Sequence, residues 1–178
     1  TDEEDTAELG EGGMGIMATR PLPPLEMVIP QPGQRICFGQ LSDPGMVRGN
    51  NQDAMFSLLM TGASTDDLPD VGVFMVADGM GGHQEGERAA AITTRMVARH
   101  VLREVALALL EQRMDDPDRV SIAEVLRAAV HEANDSVNEQ IPEGGTTVTA
   151  TVILGDLAHI AHVGDSRAYL LSEGSLEQ

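Results

Sequence analysis

An acidic residue at the end of an apolar run is the strongest candidate for chemistry in this chain. Residues 74–83 read FMVADGMGGH, and the valine-rich segment 71–77 is typical of a buried strand. Asp78 and Gly79 form a turn dipeptide, so we expect the strand to end there. A buried carboxylate is costly unless it meets a metal, another cation or backbone N–H groups. The position of Asp78 therefore predicts a cation site, and a plain hairpin turn is the alternative.

Three more segments point to related chemistry. Residues 42–54 read SDPGMVRGNNQDA, residues 145–147 form a Gly-Thr-Thr turn, and residues 163–169 read VGDSRAY. Together with the 74–83 segment, and in this order, they resemble the metal-dependent protein phosphatases of type 2C in their bacterial form. The resemblance extends from about Ile36 to Leu171. It implies a hydrolase that dephosphorylates phosphoserine and phosphothreonine in proteins.

The resemblance also implies Mn²⁺ or Mg²⁺ as the cofactor, with two ions in the active site and a third in the complete domain. Phosphate ester hydrolysis near neutral pH needs an activated water and stabilisation of the transferring phosphoryl group, and paired divalent ions supply both. Both metals prefer carboxylate, carbonyl and water oxygens as ligands. A site built from aspartates, with no cysteine or histidine pair, fits that preference.

The resemblance assigns the metal ligands residue by residue. Asp78 would bridge two metals, and the backbone carbonyl of Gly79 and the carboxylate of Asp53 would hold one of them. Asp165 would bind a third, weaker metal. The structural alternatives are a polar cap at a strand start for Asp53 and an ordinary turn residue for Asp165.

Two further residues are candidates for catalysis. Arg48 would bind the substrate phosphate, because a guanidinium fork matches two phosphate oxygens, and a surface arginine is the alternative. His83 would assist the leaving group or orient a water at the metals, since its ordinary pKa suits proton transfer near neutrality. A solvated loop histidine is the alternative there. Gln52 stands where many relatives of this type have glutamate.

Bulk composition limits the classes of partner. The 178 residues fit one domain, and 29 Asp and Glu against 11 Lys and Arg give a formal charge of -18. This charge argues against a nucleic-acid or anionic-membrane surface. The single cysteine, Cys37, cannot form an internal disulfide, fits a reducing compartment and is expected in a strand. No apolar run approaches the roughly 20 residues of a membrane span, so we expect a cytoplasmic protein.

The chain divides into a leader and a domain. Residues 1–34 are acidic and rich in proline and glycine, which predicts a flexible leader. Residues 35–178 form the phosphatase-like part. Periodicity predicts strands at 36–41, 54–60, 71–77, 146–154, 157–163 and 167–171, and helices at 85–112 and 121–140. The fold class is α+β. The resemblance implies a layered α-β-β-α sandwich of two antiparallel sheets flanked by helices, here incomplete at its C-terminal side.

Both predicted helices carry a clear apolar stripe. Ser121 and Glu124 form a capping-box pattern at the start of the second helix. A row of arginines on the first helix is expected to be a solvated face, and His131 falls outside the second stripe. The first stripe comprises Ile92, Met96, Val97, Val101, Val105 and Leu109, and the second comprises Ile122, Leu126, Ala129, Ala133 and Val137.

In this family a further stretch follows the VGDSRAY segment and carries two more aspartates of the metal site, in an Asp-Gly and an Asp-Asn segment. Neither occurs after Leu171 here, so we expect a fragment of a longer protein. The fragment would bind metal weakly and have little activity, and its open sheet edge would favour dimerisation. The parent would act on phosphoproteins and oppose a serine/threonine kinase. The alternatives are a non-catalytic phosphatase-like regulator and a plain acidic metal-binding module.

Overall fold

A computed structural model describes residues 36–46, 50–62, 68–80, 85–114 and 119–178. The predicted leader at 1–34 lies outside the described residues, as do Arg48 and His83. The described part is a mixed α/β structure with antiparallel sheets and helices, which confirms the predicted fold class.

One antiparallel sheet forms the centre of the structure. The strands of the described structure are β1 (Asp53–Met60), β2 (Val71–Met80), β3 (Gly145–Thr146), β4 (Val148–Leu154), β5 (Leu157–Val163), β6 (Leu170–Ser172) and β7 (Ser175–Glu177). The central sheet has the order β1-β2-β4-β5, and the short β3 pairs with the end of β2. The strands β6 and β7 form a separate two-stranded hairpin.

Two long helical segments follow the predicted boundaries closely. The first comprises α1 (Glu85–Val101), a π-helical stretch (Leu102–Ala106) and α2 (Leu107–Leu110). The second is α3 (Ile122–Gln140), which begins with the predicted capping box. The Ser121 hydroxyl accepts from the Glu124 backbone N–H at 3.2 Å, and the Glu124 carboxylate accepts from the Ser121 N–H at 2.9 Å. The bond from the Ser121 N–H lowers the pKa of Glu124, and a second bond to the carboxylate from the Ser121 hydroxyl acts in the same direction.

The helices cover one face of the sheet. Val71, Val73 and Met75 alternate along β2 and pack in one core with residues of both helical segments. The two predicted stripes are confirmed, since every member is buried except Met96, which is half-buried. His131 is exposed, as predicted. Periodicity therefore identified the core face of both helices.

A partly exposed cluster of charged and polar side chains joins α1 to α3. Glu132 accepts from Arg99 and lies 2.8 Å from the Nδ1 atom of His100. The hydrogen bond with His100 lowers the pKa of Glu132, and the charge of Arg99 acts in the same direction. The predicted arginine row, Arg95, Arg99 and Arg103, is exposed, which confirms the solvated face.

The opposite face of the sheet is more open. Val76 on this face is 47% exposed. Residues 36–46 cover part of this face, because the ring centre of Phe38 lies 5.0 Å from that of Phe74. The predicted strand at 36–41 is wrong, and Cys37 is exposed outside any strand. An extended segment becomes a strand only when its backbone pairs with a neighbour, and this one meets the sheet through side chains.

Three other boundaries differ from the predictions. β2 continues to Met80 instead of ending before Asp78, the predicted strand 146–154 is interrupted at Thr147, and β6 begins at Leu170 instead of residue 167. The hairpin of β4 and β5 around Gly155 and Asp156 is confirmed. No helix in the described ranges is long and apolar enough to cross a membrane.

Candidate metal centre

Two candidate metal ligands lie side by side on neighbouring strands. Asp53, the first residue of β1, is directly opposite Asp78 near the end of β2. The Gly79 N–H donates to the Gln52 carbonyl at 3.2 Å, so Asp53 and Asp78 form a non-hydrogen-bonded antiparallel pair. In such pairs the Cα atoms are about 4.5 Å apart and both side chains leave the same face. The two carboxylates are therefore neighbours, although 25 positions separate them in the printed sequence.

Asp78 and Gly79 are strand residues, and the predicted turn at this dipeptide is wrong. Asp78 pairs with β1, and Gly79 pairs with Thr146 of β3. Glycine is needed at position 79 because β2 passes very close to the start of α1. A Cβ atom there would collide with the backbone carbonyl of Gly86 and lie 2.6 Å from that of Gln52. The reason for this glycine is close packing, which the turn interpretation missed.

The backbone of Asp78 is held from the side opposite to β1. Its carbonyl accepts from the Thr147 N–H at 2.9 Å and from the Thr146 hydroxyl at 3.0 Å. Its N–H donates to the Thr147 hydroxyl at 3.0 Å. The Gly-Thr-Thr segment is thus a strand edge that supports Asp78, and the prediction of a turn there is wrong.

The turn that carries Asp165 adjoins the same threonine. Ser166 lies within hydrogen-bond distance of Thr147, with 2.7 Å between the two hydroxyl oxygens. Gly164 has a φ of +111°, which favours glycine, and its carbonyl lies 3.0 Å from the Nε2 atom of His162. Since a carbonyl only accepts, Nε2 donates to it, and Nδ1 lies 2.9 Å from the Thr149 hydroxyl oxygen.

A cleft of about 290 Å³ opens at the Asp53 and Asp78 pair. Asp43 joins the two acids in its lining, and its carboxylate accepts from the Gly45 N–H at 2.7 Å. Ser42 and Ser166 also line the cleft. Three aspartates and two serines bring negative charge and oxygen donors that suit a hard cation to a lining that also includes five apolar residues.

Comparison with known proteins decides the family. The model of the family described as Protein phosphatase 2C matches residues 47–178.

The chain belongs to the protein phosphatase 2C family.

Similar curated phosphatases come from several bacteria. The serine/threonine protein phosphatase PstP of Mycobacterium tuberculosis is 34% identical over 147 residues, which cover 79% of this chain and 24% of that protein. The serine/threonine phosphatase stp of Listeria welshimeri is 30% identical over 137 residues, which cover 77% of this chain and 50% of that protein. The chain therefore spans a quarter to a half of the length of these curated relatives.

Solved protein phosphatase 2C structures share the fold. The catalytic domain of PstP in complex with two manganese ions aligns with a TM-score of 0.52 at 32% identity, over 76% of this chain and 51% of that domain. The S. agalactiae serine/threonine phosphatase aligns with a TM-score of 0.51 at 26% identity, over 77% of this chain and 52% of that chain. Both alignments support the predicted resemblance.

The donor set of the cleft fits a divalent oxygen-seeking metal. Asp53 and Asp78 supply two adjacent exposed carboxylates, the ligands that Mn²⁺ and Mg²⁺ prefer. Within the described ranges, no group of three or more His, Cys, Asp and Glu side chains is arranged to hold a metal. The described residues thus place two oxygen donors of the kind these metals prefer side by side in the cleft.

The structure describes four of the six predicted site residues. Asp53 and Asp78 come together, and Gly79 is buried beside them. Asp165 is exposed one residue from the cleft-lining Ser166. The roles of Arg48 and His83 stay predictions, because both residues lie outside the described ranges. Sequence reasoning missed Asp43, Thr147 and Ser166 as parts of the site, although all three fall inside the quoted motifs.

Proposed function

We propose that the protein carrying this chain is a metal-dependent serine/threonine phosphoprotein phosphatase. The observation that carries the proposal is the pairing of Asp53 with Asp78 on adjacent strands, in a cleft that three aspartates line at one end of the sheet. The manganese-bound catalytic domain of PstP, with the same fold at 32% identity, supports it.

The residues of this chain have distinct roles in the proposed activity. Asp53 and Asp78 hold Mn²⁺ or Mg²⁺ together with the carbonyl of Gly79, and Asp165 binds a further ion. Bound divalent ions make a water nucleophilic near neutral pH and stabilise charge on the phosphoryl group. Arg48 grips two oxygens of the substrate phosphate with its guanidinium fork, and His83 serves the leaving group.

The proposed partners follow from that activity. The substrate is a protein phosphorylated on serine or threonine, and a serine/threonine kinase supplies it. The single cysteine and the acidic charge fit a cytoplasmic protein. A second copy of the chain would pair along a sheet edge, because β1 and β5 are the outermost strands of the described sheet.

A non-catalytic phosphatase-like regulator is the second candidate. One observation favours it: the described residues contain no group of three or more His, Cys, Asp and Glu side chains arranged to hold a metal. Such a protein would recognise a phosphoprotein or a partner without hydrolysing phosphate.

Metal binding by the 178-residue chain tests the proposal. Wild type is compared with Asp78→Asn and with Asp156→Asn, which removes the same charge from an exposed turn at the far end of the sheet. We expect weak Mn²⁺ binding by wild type and the control, and binding at least about tenfold weaker in Asp78→Asn, because a ligand is lost. Electron paramagnetic resonance of free Mn²⁺ gives the affinities.

Hydrolysis of a phosphothreonine peptide completes the test. We expect little turnover by the 178-residue chain, whereas a longer form that carries the two further aspartate segments of this family should be active and should lose activity in Asp78→Asn. Equal Mn²⁺ binding by all three proteins would refute the metal site. Brisk Mn²⁺-dependent turnover by the 178-residue chain would refute an incomplete site, and phosphopeptide binding without Mn²⁺ binding would favour the regulator.

A further inference from the structure

The interruption between β3 and β4 contains an unusual hydrogen bond. Gly79 pairs with Thr146 and Val76 pairs with Thr149, so Asp78 lies opposite Thr147 in the same register. An antiparallel pair of this kind normally exchanges two backbone N–H to carbonyl bonds. Thr147 forms one of these two bonds, because its N–H donates to the Asp78 carbonyl at 2.9 Å. The Asp78 N–H instead donates to the Thr147 side-chain hydroxyl at 3.0 Å.

Because a hydroxyl replaces the carbonyl as the acceptor for the Asp78 N–H, this position can bond to a second partner outside the sheet. A carbonyl only accepts hydrogen bonds, whereas a hydroxyl also donates one. The Thr147 hydroxyl also shares a hydrogen bond with the Ser166 hydroxyl 2.7 Å away, in which either oxygen can be the donor. The Thr147 carbonyl lies 2.9 Å from the Thr146 hydroxyl, whose single proton it shares with the Asp78 carbonyl 3.0 Å away. One buried hydroxyl therefore bonds both to the backbone of Asp78 and to the turn that carries Asp165.

Packing restrains the same side chain. Thr147 is 1% exposed, so its hydroxyl has little access to water as an alternative partner. Gly164, whose φ is +111°, lies against it: a Cβ atom on this glycine would be 2.6 Å from the Thr147 methyl carbon. The methyl group thus contacts the turn on one side of Asp165, and the hydroxyl bonds to Ser166 on the other.

We propose that Thr147 is a positioning residue that holds Asp78 and the Asp165 turn in a common geometry for metal binding. This inference rests on the proposed function, because it assumes that these two aspartates are ligands. Thr147 itself contacts no metal in this proposal. It acts through the Asp78 N–H and the Ser166 hydroxyl, and partners of this type commonly change metal affinity by about 10- to 100-fold.

Two substitutions separate the hydroxyl from the methyl group. Thr147→Val keeps the shape and the contact with Gly164 but removes the hydroxyl, and Thr147→Ser keeps the hydroxyl. We expect Thr147→Val to weaken Mn²⁺ binding by the 178-residue chain about tenfold or more. Thr147→Ser should stay within about threefold of wild type, because the two hydrogen bonds remain.

Amide hydrogen exchange without metal gives an independent readout. In Thr147→Val the Asp78 N–H loses its acceptor, so its exchange should accelerate more than that of Val152 in the same sheet, which reports global stability. Thr147→Ser should restore slow exchange at Asp78. Equal behaviour of the two variants, or equal acceleration at Asp78 and Val152, would overturn the inference. If wild type binds no Mn²⁺, the proposed metal site fails, and the exchange data alone decide whether Thr147 positions Asp78.

Discussion

Replacing Gly79 by alanine would place a methyl group where β2, the start of α1 and the residue before β1 come together. The added Cβ atom would lie 2.6 Å from the Gln52 carbonyl oxygen and closer still to the Gly86 carbonyl. All these neighbours are backbone atoms, so no side chain can rotate away. To reach an ordinary contact of 3.4 Å, the Gln52 carbonyl alone must withdraw by about 0.8 Å.

The cost follows from these distances. Forcing an extra methyl group into a packed site usually costs about 1–3 kcal/mol. Alanine recovers about 0.4–1 kcal/mol by restricting the unfolded chain. We expect a net loss of about 2 kcal/mol at this crowded position, which corresponds to a fall in Tm of about 4–8 °C for a chain of this size.

Thermal and urea unfolding, followed by circular dichroism without metal, measure the effect. Gly145→Ala is the matched control, because Gly145 lies on β3 beside the same part of β2 and a Cβ atom there meets only the flexible end of Met80 at 3.5 Å. This control should stay within about 0.5 kcal/mol of wild type. Similar stabilities of Gly79→Ala and Gly145→Ala would refute the close-packing explanation for Gly79.

Two further predictions concern acid stability and association. Glu132 has a pKa below its ordinary 4.5, because His100 and Arg99 stabilise its carboxylate. The ionised carboxylate therefore stabilises the fold above about pH 4.5, and this contribution is lost as the pH falls through the lower pKa of the folded state. In Glu132→Gln the free energy of unfolding, measured with urea, should fall less steeply as the pH is lowered from about 6 to about 3, the range in which carboxyls titrate. The same decrease in wild type and variant would contradict the role of this cluster. Light scattering after size exclusion should show a concentration-dependent dimer, and a strict monomer at all concentrations would argue against pairing at the β1 or β5 edge.

Much of the fold could be predicted from local patterns. The apolar stripes of α1 and α3 recur at helical spacing, and the capping box at Ser121 depends on residues three positions apart. The hairpin of β4 and β5 follows from alternation around a Gly-Asp turn. These features succeed because the residues that interact are close in sequence, so their spacing alone specifies the contact.

The errors share a different physical origin. Asp78 and Gly79 have strong turn propensity, but pairing with β1 on one side and the Gly-Thr-Thr segment on the other keeps them in the strand. Residues 36–41 have strand-like composition, but they meet the sheet through side chains and do not enter a ladder. In both cases contacts with residues distant in sequence outweighed the local preference, because the preference of a residue for a strand depends strongly on its neighbours in the fold.

The sequence by itself determined the family, the order of its acidic motifs and the two helices that cover the sheet. The family match over residues 47–178 agrees with the resemblance carried by those motifs. Only the tertiary structure decided that Asp53 lies opposite Asp78, that Gly79 makes room for α1, and that the Thr147 hydroxyl replaces a carbonyl in the ladder. Asp78 and Thr147 are 69 positions apart, and strand register between such distant segments depends on the packing of the whole sheet.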